Sequence, residues 1–103
     1  MNYNIIISES AIKDLDENIK YIIEILLNNK AASDFIDEVE RKYIEVSKHP
    51  YMFELSRDDR LRKKGYHRIV VNNYIILYLI NDKSKEVIIS RIFYGGQNYK
   101  NYL

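Results

Sequence analysis

The sequence predicts an α+β domain, ordered β-α-α-β-β-β, in which an antiparallel sheet carries a helical hairpin on one face. Three observations predict it. Through the first half of the chain, apolar residues recur at three- and four-residue steps, the period of a helix. After Gly65 the period drops to two, the period of a strand. The two regimes are separated by His49-Pro50 and a charged stretch rather than interleaved, which argues against alternating βαβ units.

The elements follow in order. Tyr3–Ile7 is a short β-branched run and reads as a strand. Ser8 then provides a helix cap, with Glu9 suited to the first turn. Ala11, Ile12, Leu15, Ile19, Ile22, Ile23 and Leu26 form one apolar stripe on a helix of about five turns. Asn28, Asn29 and Lys30 interrupt it. A second helix runs from about Ala31 to Ser47, with Phe35, Ile36, Val39, Tyr43 and Val46 on its inner face. His49-Pro50 stops it, because a residue before proline avoids helical geometry. So short a break makes the two helices an antiparallel hairpin.

Residues Tyr51–Gly65 show no period and read as a loop, anchored by Tyr51, Met52, Phe53 and Leu55, with the charged run Arg57–Lys64 exposed. Tyr66–Val71 reads as a strand. Asn72-Asn73 is a two-residue turn, since asparagine tolerates positive φ. Tyr74–Ile80 is apolar throughout and fits a central strand buried on both faces. Val87–Phe93 is the last strand, followed by Gly95-Gly96 and the aromatic segment Gln97–Leu103.

The length of 103 residues suits one domain, and 47% hydrophobic residues suffice for one core. The net charge of +1 hides an asymmetry: residues 1–56 carry a net −5 and residues 57–103 a net +6. Two differently charged surfaces are expected. The chain has no cysteine, which excludes disulfides, thiolate nucleophiles and zinc–thiolate sites. It shows no signal-peptide pattern and no apolar run long enough for a bilayer, so a cytoplasmic protein without membrane association is expected. The three glycines form no phosphate loop. The two histidines, His49 and His67, lack the spacing of a helical zinc site. No serine lies in a nucleophile elbow. No metal or cofactor is expected. Glu9, Asp14, Asp16 and Glu17 read as solvating charges of the first helix.

What remains is a basic, aromatic constellation. Arg68 alternates with Tyr66 and Val70, and Arg91 with Ile89 and Phe93. Tyr94, Tyr99 and Tyr102 follow. A guanidinium donates two parallel hydrogen bonds to phosphate or carboxylate. A neighbouring tyrosine stacks on a base or moves a proton. Alternatively, both arginines pair with carboxylates of the protein itself and the tyrosines are half-buried sheet residues.

Taken together, these pieces resemble the RelE/ParE superfamily of toxins from type II toxin–antitoxin systems. The resemblance is carried by Ile5-Ile-Ile-Ser8, Ala11-Ile-Lys-Asp-Leu15, Tyr21-Ile22, Ala32, Phe35 and His49-Pro50-Tyr51. It continues through Gly65-Tyr-His-Arg68-Ile-Val-Val71, Asn73-Tyr-Ile-Ile-Leu-Tyr78, Val87-Ile-Ile-Ser-Arg91-Ile-Phe-Tyr94-Gly95 and Leu103. It implies a cytoplasmic protein that inhibits growth and is neutralised by a cognate antitoxin in a heteromeric complex. The exposed grooves and the basic sheet face are the implied contact regions, and an acidic partner would associate faster with a basic surface.

Two activities occur in the superfamily. One branch cuts messenger RNA on the ribosome, with basic residues on the middle strands and beyond the last; the other poisons DNA gyrase by binding. If this chain were such a ribonuclease, Arg68, Arg91 and Tyr94 would be its catalytic candidates, with Tyr99 assisting. Val70, Ile75, Gly96 and Gln97 stand where that branch has basic residues, so the resemblance favours the gyrase-binding branch. A remnant that binds antitoxin but poisons nothing is a third reading. The expected contact residues for target or nucleic acid are Arg60, Arg62, Lys63, Lys64, His67, Arg68, Arg91, Tyr94 and Tyr99.

Overall fold

A computed structural model describes residues 2–95. Four strands form one sheet in the order β1-β4-β3-β2, where β1 is Asn4–Ile7, β2 His67–Val71, β3 Tyr74–Asn81 and β4 Glu86–Tyr94. β2, β3 and β4 form an antiparallel meander, and β1 adds in parallel to the edge of β4. The predicted element order therefore holds, with one addition: a short helix in the charged stretch.

Ser8 caps α1 (Glu9–Lys20), its hydroxyl accepting from the Ala11 N–H. The same hydroxyl donates to the Ser90 carbonyl of β4, fastening the helix start to the sheet. Tyr21–Ile25 continues as a wider π turn, in which the Leu26 N–H reaches the Tyr21 carbonyl. Asn28 then caps α2 (Asn29–Lys48) through the Ala31 N–H. At the far end of α2, Ser47 and Tyr3 exchange two hydrogen bonds that tie β1 to the helix.

One face of the sheet carries the main core. Ile69, Val71, Ile76, Tyr78, Val87, Ile89 and Ile92 pack against Ala11, Ile22, Ala32, Phe35, Val39 and Val46 of the helices. The predicted stripe on the first helix is only partly buried: Ile12, Ile23 and Leu26 are exposed. The π turn explains the last two, because its extra residue breaks the 3.6-residue period.

The opposite face carries a smaller cluster. Leu61, in α3 (Asp59–Lys63), packs on Leu77 and Phe93, flanked by Tyr66 and Ile75. The charged stretch is thus not simply a loop, since Asp58 caps a helix whose one apolar side chain is fully buried. The anchoring expected of Tyr51, Met52 and Leu55 fails, for all three are exposed. Pro50 and the partly buried Phe53 hold the segment instead, and the Tyr78 hydroxyl donates to the Pro50 carbonyl.

Candidate functional site

The open sheet face is organised by register. Arg68 in β2 lies opposite Leu77 in β3, and Leu77 lies opposite Arg91 in β4. The three form a row across the face turned away from the helical hairpin, next to α3. Val70, Ile75 and Phe93 form the adjacent row. Arg91 reaches its place through a bulge. Tyr78 pairs with Ile89 and Leu77 with Arg91, so Ser90 is an extra residue. Arg91 therefore does not share a face with Ile89, as simple alternation predicts; Ile89 is buried under the helices.

Each arginine has an internal carboxylate. Arg91 makes a two-pronged pair with Asp14 of α1, Nε to Oδ2 at 2.8 Å and Nη2 to Oδ1 at 2.9 Å. Asp14 also accepts the Ile92 N–H at 2.9 Å. Asp14 is 9% exposed, so it is no solvating charge. It closes the edge of β4 just where β1 ends, satisfying a backbone donor that would otherwise face an open edge. Its sequence signal was its position: three residues after Ala11, it lies on the buried stripe. The guanidinium of Arg91 also lies over the Phe93 ring, 4.8 Å from its centre.

Arg68 is held more loosely. Its Nη1 is 3.5 Å from the Glu54 carboxylate, which Arg57 shares at 3.2 Å. Its Nε is buried and has no hydrogen-bond partner. A buried donor left unpaired is costly and marks a place where an acceptor fits. Beside it a shallow groove of about 250 Å³ is lined by Arg68, Val70, Asn73, Ile75, Tyr94 and Gly95, among others. Arg68 is the one cationic side chain among those lining it.

The remaining candidates scatter. Arg60, Arg62, Lys63 and Lys64 form an exposed basic surface on and after α3, with Arg62 paired to Asp59. His67 lies away from the groove: its Nδ1–H donates to the Phe53 carbonyl, and its ring stacks on Tyr78. Tyr94 ends β4 beside the groove, its ring edge-on to Tyr74. Tyr99, Tyr102, Gly96 and Gln97 lie outside the described residues. Sequence reasoning missed Asp14, Glu54 and Leu61, the three residues that fix the arginine row and the helix beside it.

Two further groups are perturbed. Burial raises the Tyr43 hydroxyl to about 12, and this hydroxyl also has no hydrogen-bond partner. At the opposite end of the sheet, Asp82 accepts from Tyr3 and Tyr51, and those two hydrogen bonds hold its carboxyl below the usual range. Among the described residues, no helix is long and apolar enough to cross a membrane, and no three potential metal ligands gather.

A four-stranded sheet with a parallel first strand and a helical hairpin on one face defines the RelE/ParE class of toxin folds. The toxin–antitoxin complex RelBE2 of Mycobacterium tuberculosis contains such a chain, similar at a TM-score of 0.63 and 20% identity over 91% of this chain and 99% of that one. The chromosomal ParDE system of Pseudomonas aeruginosa gives 0.67 and 14% over 87% and 92%. A variant of Escherichia coli RelE in the free state gives 0.66 and 16% over 99% and 93%. No curated protein matches the sequence. Residues 5–99 match the family described as ParE toxin of type II toxin-antitoxin system, parDE, and the chain belongs to that family.

Proposed function

We propose that this toxin poisons DNA gyrase by binding it, with Arg68 receiving a carboxylate of the target, and that a cognate antitoxin neutralises it. The observation that carries this reading is the composition of the groove at Arg68. One arginine with an unpaired Nε–H stands there among Val70, Ile75 and asparagine amides. Such a setting suits a single buried carboxylate at a protein interface, where truncating one partner of a charged pair costs several kcal/mol, about 2–5. It suits an RNA backbone poorly, since cleavage needs a proton acceptor, a proton donor and charge stabilisation together. Arg91 is engaged with Asp14, and His67 with the backbone. The exposed basic surface around α3 would steer an acidic partner, and the toxin–antitoxin systems among the structural neighbours support an antitoxin as partner.

The test is plasmid supercoiling by purified gyrase in the presence of the protein. Dose-dependent inhibition, relieved by the antitoxin and weakened at least about ten-fold in Arg68→Ala, is the expected result. Cleavage of messenger RNA on purified ribosomes, with gyrase untouched, would replace this reading by the ribonuclease one. Growth unaffected by expression of the folded chain alone would make it an antitoxin-binding remnant.

A further inference from the structure

The two edges of the sheet are finished differently. At the β2 edge the segment before α3 runs alongside: the Arg68 N–H donates to the Glu54 carbonyl and the Ser56 N–H to the Tyr66 carbonyl. The β1 edge is met at one point. The N–H groups of Asn4 and Ser8 donate to the Lys85 and Ile89 carbonyls, so the backbone groups of Tyr3, Ile5 and Ile7 point the other way. Ser47 of α2 meets Tyr3 there, on both its N–H and its carbonyl. Ile5 and Ile7 lie beyond it, on an outer edge that has no neighbouring strand among the described residues. Such a row of backbone groups is a template for another strand, and sheets ordinarily blunt it with charge, proline or a bulge. β1, Asn-Ile-Ile-Ile, has none of these. Its side chains are apolar and open to water. Ile6 is 43% and Ile7 39% exposed, and Ile44 of α2, which shares a shallow groove with Ile5, is 58% exposed.

This edge is complementary to itself. A two-fold axis through Ile6 places Ile5 of each copy opposite the partner's Ile7, where the pair exchanges both N–H···O bonds. The pairing is short and ends for a reason on each side. Beyond Ile5 the edge is already filled by Ser47, and beyond Ile7 the chain turns into α1. Ile5 packs on the main core, so Ile6 points to the open face and meets the partner's Ile6 across the axis. The charges match as well. Lys48 lies with Asn2 and Ile5 at the start of β1, and Glu9 opens α1 just after its end. Antiparallel pairing brings Lys48 of each copy to the partner's Glu9. Neither residue is in an ion pair among the described residues.

We infer that β1 is an interface between two copies of this chain, joined edge to edge into one continuous sheet. The interface is small, so the dimer is of the weak, concentration-dependent kind. Both open faces lie on the same side of the joined sheet, with the two Arg68 grooves toward its far ends and uncovered. The inference concerns a surface away from Arg68 and is independent of the target, gyrase or ribosome.

The test uses the full chain, which has no native cysteine. Across the axis, the Cα atoms of the pair at Ile6 are about 4.5 Å apart, within disulfide reach. Ile6→Cys is therefore expected to form a covalent dimer under mild oxidation, at a rate that rises with protein concentration. Asn4→Cys, on the same face of the same strand, is the control. Its two copies are about 14 Å apart along the strands and should cross-link at least about ten-fold more slowly. Lys48→Glu in the Ile6→Cys chain is expected to slow cross-linking about five-fold, and adding Glu9→Lys to restore it. Equal rates at Ile6 and Asn4 are what random collision gives and overturn the inference, as does the absence of a covalent dimer from folded protein. A charge reversal without effect, or a swap that fails to recover the rate, overturns the register. Protection of the Ile5 and Ile7 amides from hydrogen exchange that appears only with the antitoxin gives the edge to that partner and overturns the inference too.

Discussion

Removing the Asp14 carboxylate isolates the contribution of the pair that fixes Arg91. Asp14 does three things at once: it accepts from Nε and Nη2 of Arg91, and it accepts the Ile92 N–H. Deleting one partner of a buried ion pair costs about 3–5 kcal/mol, because the other charge stays buried without compensation. The Arg91 side chain is 20% exposed, so water partly replaces the lost carboxylate and moves the cost to the low end. The unpaired Ile92 donor adds about 1 kcal/mol or more. Asp14→Ala is therefore expected to lose about 3–4 kcal/mol in urea unfolding, a fall of more than about 10 °C in Tm for a domain of this size. Asp14→Asn keeps an acceptor for the backbone donor and loses about half as much. Arg91→Met in the Asp14→Ala background is expected to recover about 2 kcal/mol, because the orphaned charge is then gone. A cost below about 1 kcal/mol for Asp14→Ala, with no coupling to Arg91, would refute the reasoning.

Three other substitutions probe the turn beside the site, the hairpin tip and the far end of the sheet. A Cβ on Gly95 would lie 2.9 Å from the Asn73 carbonyl oxygen, so Gly95→Ala should destabilise by about 1–3 kcal/mol in the same unfolding assay. Leu27→Gly should do the reverse and stabilise by about 1 kcal/mol, since glycine accepts the +51° φ and the leucine side chain is largely in water. Asp82 has a folded-state value lowered by the hydrogen bonds of Tyr51 and Tyr3, so its contribution is present above the unfolded value of 3.8 and fades as pH falls through the folded one. Asp82→Asn should accordingly flatten the loss of stability below about pH 4, measured as Tm against pH; an unchanged acid limb would remove Asp82 from the account.

Periodicity made most of the fold legible. Phe35, Val39 and Val46 on the second helix, and the alternation after Gly65, are pure burial patterns, and burial is what periodicity reports. Three features lay beyond it, each for its own reason. The π turn at Tyr21–Ile25 is built from residues that an ordinary helical period also accepts, so nothing along the sequence marks its wider ring. The short helix around Leu61 has one apolar residue, too few to define a period. The bulge at Ser90 is a register choice between two strands, invisible to a pattern read along one of them. That last point decided the site. Alternation put Arg91 on a face with Ile89, whereas the extra residue rotates it into line with Leu77 and Arg68.

The accounting of charge on the open face also shows why candidate residues and functional residues part company. Sequence counts arginines; structure counts the carboxylates that reach them. Asp14 comes from the helix after β1 and Glu54 from the segment before β2, 77 and 14 residues from the arginines they meet. The two pairs differ in kind. Asp14 uses both oxygens on Arg91 and is shielded from water, so a target would have to compete with a bidentate partner. Glu54 is exposed, shared with Arg57, and leaves the Arg68 Nε unmet. Under the proposed reading, an incoming carboxylate replaces Glu54, which reaches Arg68 at 3.5 Å through one nitrogen, and meets a donor that the folded chain leaves unpaired. Under the proposed reading, Arg68 is therefore the arginine that exchanges partners, and Arg91 the one fixed to Asp14 beside it.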